Sequence, residues 1–182
     1  MSLPKRRKSA SRTQVGEALS GISAAYVQDQ KPAGTDAGTP VEDAWSPRDL
    51  NTLLNPMSVS WITLGVNAFT LAAGKYLIRA TAPFSNRDNT DNTARLRIMN
   101  VTDSTVAILG LTNQYTGLSG LDRSEQPEVS GALMISEAKT FQLQYYLKDD
   151  ASNGAGYGLG SNFNIGGDVE IYSNVEIIRL GD

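Results

Sequence analysis

Thr140-Phe-Gln-Leu-Gln-Tyr-Tyr-Leu147 is the stretch whose reading decides the fold. Phe141, Leu143, Tyr145 and Leu147 fall on one side of an extended chain, and Gln142, Gln144 and Tyr146 on the other. Successive side chains of a strand point to opposite faces, so this alternation marks a strand with one face in a core and the other in water. The same period extends along the chain. In residues 75–84, Tyr76, Ile78, Ala80 and Ala82 alternate with Leu77, Arg79 and Thr81. In 95–100, Leu96 and Ile98 alternate with Arg95, Arg97 and Met99; in 128–135, Val129, Gly131, Leu133 and Ile135 share a face. Residues 169–180 place Val169, Ile171, Val175 and Ile177 together. Turn signals separate these runs at Ala73-Gly74, 86–92, 102–104, 117–120, 149–156 and 166–168. After residue 24 no segment carries helical periodicity. Roughly eight strands over about 130 residues predict an all-β fold, a β-sandwich with a jelly roll ahead of a Greek-key barrel.

Composition removes most chemistry. The 182 residues hold 16 Lys+Arg and 19 Asp+Glu, with no His and no Cys. Disulfides, Cys/His zinc sites, imidazole bases and thiol nucleophiles are thereby excluded. The net charge of -3 hides a split. Lys5, Arg6, Arg7, Lys8 and Arg12 carry all the charge of the first twelve residues, leaving 11 positive against 19 negative groups, a net of -8, for the rest. A basic tip is joined to an acidic body, and the body should repel nucleic acid. Ser9-Ala-Ser-Arg-Thr-Gln14 after the basic run is no apolar segment, so a secretory signal is not expected. No stretch approaches the ~20 apolar residues of a membrane span.

Residues 1–45 read differently from the rest. Ser11-Arg12-Thr13-Gln14 has the form of a capping box, and Val15, Leu19 and Ile22 follow at helical spacing. Gly16 and Gly21 limit this to a short helix. Ala24-Ala-Tyr-Val27 has the makings of a short strand, and residues 31–40 are a loop by composition. The expected division is therefore an extended anchoring arm and linker over 1–45 and a jelly-roll domain over 46–182. Tyr146, and Tyr172, Ile178 and Leu180 opposite the core side of the last strand, are outward residues suited to a subunit interface.

Several segments together resemble a known module: Asp29-Gln-Lys-Pro-Ala-Gly-Thr-Asp-Ala-Gly-Thr39, Ala44-Trp-Ser-Pro-Arg-Asp-Leu-Asn51, the run from Phe69 to Pro83, Ala94-Arg-Leu-Arg-Ile-Met-Asn-Val-Thr-Asp103, Ser130-Gly131 with Thr140-Phe-Gln-Leu-Gln144, and Val169-Glu-Ile-Tyr-Ser-Asn-Val-Glu-Ile-Ile178. In this order and spacing, over about residues 24–182, they look like the C-terminal β-domain of phage fibre and virion surface proteins. That domain is similar in fold to the tumour-necrosis-factor/C1q jelly roll, which is a homotrimer. The resemblance implies a trimeric, non-enzymatic virion component made in bacterial cytoplasm. Asn92-Thr93 stands where members often carry a His, and no Gly-x-y shaft is present, so neither feature is inherited. Residues 1–23 lie outside the match.

The remaining candidates follow from residue type. Lys5, Arg6, Arg7, Lys8 and Arg12 suit docking on an acidic virion protein rather than nucleic acid. The Asn86-Arg-Asp-Asn-Thr-Asp-Asn92 loop is rich in oxygen but lacks the ordered calcium pattern. Gly154-Ala-Gly-Tyr-Gly-Leu-Gly160 fails phosphate-loop spacing and precedes no helix. Asp149-Asp150, and Asp122 with Glu125, read as solvated turns rather than paired catalytic acids. Asp149, Asp150 and Tyr157 are loop residues suited to recognition of a host glycan or protein. Asn100-Val-Thr102 is a formal glycosylation acceptor with no use in bacterial cytoplasm. No cofactor, metal or catalytic residue is expected. The leading function is a trimeric capsid decoration or head spike anchored through residues 1–45; the alternative is a tail-fibre or baseplate knob that adheres to the host.

Overall fold

A computed structural model describes residues 21–86, 91–116, 123–148 and 158–181. These form thirteen strands: β1 Ser23–Lys31, β2 Ser46–Pro47, β3 Thr52–Leu54, β4 Ile62–Gly65, β5 Ala68–Leu71, β6 Gly74–Thr81, β7 Phe84–Asn86, β8 Asp91–Asn100, β9 Thr105–Thr116, β10 Arg123–Glu125, β11 Glu128–Ile135, β12 Lys139–Lys148 and β13 Glu170–Gly181. No helix occurs among the described residues; the short helix expected before residue 23 falls almost wholly outside them.

The strands pair antiparallel throughout. One sheet runs β11-β6-β13-β1-β3 and the other β4-β5-β12-β8-β9, with β2 on β12 and a β10-β7 ribbon at one end. First and last strands lie side by side at the centre of a sheet and the long connections cross between sheets, as a jelly roll requires. The alternation read from β12 holds: Phe141, Leu143, Tyr145 and Leu147 are buried, and the same is true of Tyr76, Ile78, Ala80 and Ala82 and of Leu96 and Ile98. On the core face Phe69 of β5 stacks on its cross-strand partner Phe141 of β12 at 5.8 Å, and Phe84 meets Tyr145 edge-on at 5.7 Å. These contacts add to the stabilisation from burial alone.

The expected boundary at residues 45/46 does not hold. Strand β1 lies inside its sheet, hydrogen-bonded to β13 on one side and β3 on the other. Residues from Ser23 onward therefore belong to the sandwich and not to an arm. The Gly- and Pro-rich segment after β1 misled the reading because it is a loop, but a packed one. Ala37 N–H donates to the Gly160 carbonyl at 3.0 Å, Leu159 N–H to that of Gly38 at 3.2 Å, and Asp36 accepts from the backbone and side chain of Asn162 at 2.7 Å.

The phase expected for the last strand is also corrected. Val175 and Ile177 are buried as read, but Val169 and Ile171 are more than half exposed, at 55% and 51%. A bulge explains the reversal: Asp29 pairs with Ser173 and Gln30 with Ile171, so Tyr172 is an extra residue and the alternation flips across it. Tyr172 turns inward, only 4% exposed.

The open side of the sandwich is closed by β9, whose register slips so that Gly110 and Leu111 together oppose Leu96. The bend brings β9 against β11. A Cβ at Gly110 would lie 2.7 Å from the Glu128 carbonyl oxygen and 2.8 Å from that of Leu96, so only glycine allows this approach.

Candidate assembly surface and the buried cluster behind it

The residues expected at a subunit interface do not form one surface. Ile178 and Leu180 lie on the outer face of the five-stranded sheet, where register places Ala132, Leu77, Ile178 and Ala24 in one cross-strand row. Leu77, Leu180 and Met134 are exposed, at 37%, 48% and 74%. Lys75, Met134 and Leu180 border a recess of about 350 Å³, and Ala73, Met134 and Ile135 one of about 460 Å³. The next row along the face is polar: Ser130, Arg79, Glu176 and Tyr26, with Arg79 paired to Glu128 at 3.2 Å.

Tyr146 lies on the outer face of the opposite sheet, its hydroxyl donating to Asp43 at 3.2 Å. Tyr172, read as outward, is a correction: its ring fills the site where a Cβ on Gly160 would sit 2.5 Å away, and its hydroxyl donates to the Thr35 carbonyl at 2.8 Å. Burial, then the nearby Glu170 and Asp36 carboxylates, hold its phenol well above the usual range. It fastens the 32–45 loop to the sandwich. Alternation places Leu77 outward between Lys75 and Arg79, and a leucine on that polar phase is the signal that this surface is apolar.

Along the closing edge, β9 exposes Leu109 and Leu111, at 50% and 77%, beside Glu128 and Ser130 of β11. Face and edge are thus two separate apolar patches bordering the same strand.

Behind the face lies a buried charged cluster that composition could not reveal. Arg48 is 1% exposed. Its Nε donates to Ser173 Oγ at 3.0 Å, and its Nη groups donate to the carbonyls of Leu159 at 2.8 Å and of Pro83 and Tyr172 at 3.4 Å. The guanidinium lies 5.5 Å from the Phe84 ring centroid and 6.0 Å from that of Tyr145. Burial pulls it down to about 10, with Asp29 opposing, so it stays protonated at neutral pH.

Asp29, also 1% exposed, contacts Lys31 at 3.2 Å, which in turn reaches Asp49 at 2.6 Å. Burial raises the Asp29 carboxyl above its ordinary value, only partly offset by Lys31 and Arg48. For Lys31, burial lowers its affinity for the proton, but the Asp49 hydrogen bond and the Asp29 charge outweigh it and leave it raised. A lysine raised in the folded state contributes stability that is full below its unfolded value of 10.5 and lost as pH climbs through the higher folded value. The melting temperature should therefore fall above pH 10.5 more steeply in the parent protein than in Lys31→Met. Identical alkaline limbs in the two proteins would contradict this.

Other expected sites fall as follows. Lys5, Arg6, Arg7, Lys8 and Arg12, and Asp122, Asp149, Asp150 and Tyr157, lie outside the described residues, as does the middle of the 86–92 loop. Glu125 is an exposed residue of β10. The Asn100 side chain is 7% exposed and donates to Asp103 at 2.9 Å, which leaves no room for a glycan. Among the described residues no three His, Cys, Asp or Glu side chains gather as metal ligands.

No family model matches the chain, and no curated protein sequence does. Solved structures do. The Eiger TNF structure from S. frugiperda is similar with a TM-score of 0.53 at 15% identity, over 89% of this chain and 94% of that one. A murine APRIL structure is similar more loosely, with a TM-score of 0.48 at 9% identity over 87% and 98% of the two chains. The likeness to Eiger, with the strand order above, gives the chain a TNF-like jelly-roll fold.

Proposed function

We propose that the chain is a non-enzymatic structural protein of a bacteriophage particle, a homotrimeric jelly-roll knob serving as a capsid decoration or head spike. The observation that carries the self-association is the unpartnered apolar row of Ala132, Leu77, Ile178 and Ala24, flanked by Met134 and Leu180. A sandwich needs only one covered face per sheet, so a second apolar stripe on the outside calls for a partner. A closed ring of three uses a heterologous contact, in which two different patches meet. The sheet face and the Leu109–Leu111 edge supply two such patches on one chain. Three is the number that the resemblance to TNF/C1q-like virion domains implies.

The virion role rests on that resemblance and on the charge split. In this reading Lys5, Arg6, Arg7, Lys8 and Arg12 dock on an acidic shell protein, and three such arms per knob bind far more tightly than one. Light scattering at micromolar concentration should give three times the chain mass; a monomer would overturn the assembly. Removing residues 1–20, which leaves β1 intact, should yield a soluble trimer unable to bind particles that lack the protein. Undiminished binding of that truncated form would refute the arm as the anchor.

A further inference from the structure

On the opposite side of the sandwich, the outer face of the six-stranded sheet carries a trough beside the Leu109–Leu111 edge. Register sets Tyr146 beside Arg95 and Arg95 beside Thr112, with Lys148 and Thr93 paired in the adjoining row. Trp45, just before β2, walls these residues into a recess of about 280 Å³. We propose that this trough binds an acidic saccharide, a sugar chain bearing carboxylates.

The aromatic wall is held in place before any ligand arrives. The Arg97 guanidinium lies 4.0 Å from the Trp45 ring centroid and is itself fixed by Nε and Nη2 donating to Gln144 Oε1 at 2.9 and 2.7 Å. Tyr146 meets Trp45 at 5.6 Å with its ring tilted by 57°. Two rigid aromatic surfaces set at an angle offer the apolar face of a pyranose a platform with little ordering left to pay for.

Charge supplies the selectivity. Arg95 donates Nε to the Gly110 carbonyl at 2.8 Å, which orients the side chain, and its two Nη groups make no hydrogen bond or ion pair among the described residues. Lys148 likewise has no such partner there. The body of the chain has 19 acidic groups for 11 basic ones, yet Arg95 and Lys148 share one recess with no ion pair among the described residues, and the Asp43 carboxylate at its margin is taken by the Tyr146 hydroxyl. A planar guanidinium with both Nη groups available matches a carboxylate two-pronged. The Thr93 and Thr112 hydroxyls complete a lining suited to sugar hydroxyls. A neutral sugar would leave both cations unused, and an acidic peptide would leave the aromatic wall without a flat partner. The trough lies on the sheet opposite the apolar row, with Thr112 bordering the Leu109–Leu111 edge.

Titration of the full chain with short oligoglucuronate, oligogalacturonate and sialyllactose, followed by tryptophan fluorescence and calorimetry, tests this. At least one should give a saturable change that neutral oligoglucose of equal length does not. Its affinity should fall with added salt and drop roughly 10–100-fold in Arg95→Met, the loss of a charge-assisted hydrogen-bonded pair. Trp45→Ala should abolish binding; an unchanged Arg95→Met melting curve shows that the loss is not unfolding. Equal binding of the neutral sugar, undiminished binding by Arg95→Met, competition by an acidic peptide at equal strength, or no saturable change with any of the three would each overturn the proposal.

Discussion

Replacing Arg48 with alanine is expected to remove roughly 3–5 kcal/mol of stability. A single domain is stable by only about 5–15 kcal/mol, so the variant should be largely unfolded on mild heating. The reason lies in what Arg48 holds together. Its donors reach Ser173 and the carbonyls of Pro83, Leu159 and Tyr172, which come from three separate segments of the chain. An unmet buried acceptor costs about 1–3 kcal/mol. Arg48→Lys keeps the charge but not the planar fork, so it should recover only part of the loss. Arg48→Met fills the space and removes the charge, yet leaves the carbonyls unmet, and should fall between lysine and alanine. Urea melts decide this through a lower midpoint at an unchanged slope. A methionine variant as stable as the parent would mean that the carbonyls find other partners and that Arg48 is dispensable.

Arg48 also marks how far a sequence can be read. Charged residues are almost always surface residues, and nothing local to residues 46–49 marks Arg48 as interior. Only the arrival of residues 83, 159 and 172 at one place makes it interior. By contrast, the phases of β6, β8, β11 and β12 were legible, because each is a regular strand whose period is undisturbed by its neighbour. Strand β13 was legible only beyond its bulge. That bulge is set by pairing with Asp29 and Gln30, some 140 residues earlier, and nothing local to residues 169–173 announces it. Hence Ile178 and Leu180 were placed outward correctly while Tyr172, Val169 and Ile171 were reversed. Strand β1 was seen in part, but a packed loop and a free linker share the same Gly, Pro, Thr and Asp content, so the domain edge was set too late. Trp45 was unreadable for a different reason: its neighbours Tyr146 and Arg97 lie on other strands, and only register assembles them.

A charge placed at Leu77 should separate the subunits while leaving each folded. Leu77 sits in the centre of the apolar row, between Ala132 and Ile178, and its side chain points away from the core beneath it. It is 37% exposed in the single chain, so an arginine there can reach water and the sandwich itself should lose less than about 1 kcal/mol. In a trimer the same position would be covered by a neighbour, and an unpaired buried charge costs several kcal/mol. A ring of three identical contacts repeats that penalty three times, which exceeds what rim hydrogen bonds could offset. Leu77→Arg is therefore expected to sediment as a monomer at micromolar concentration with a native far-ultraviolet spectrum. Lys148→Met, on the opposite sheet and away from the β9 edge, should remain a trimer under the same conditions, which separates the face from a general effect of surface substitution. Ile178→Arg, its direct cross-strand neighbour, should behave as Leu77→Arg does. If both arginine variants stayed trimeric, the apolar row could not be the contact, and the Leu109–Leu111 edge would have to meet a different patch. If either variant unfolded outright, the row would be supporting the sheet rather than an interface, and that too would count against assembly through this face.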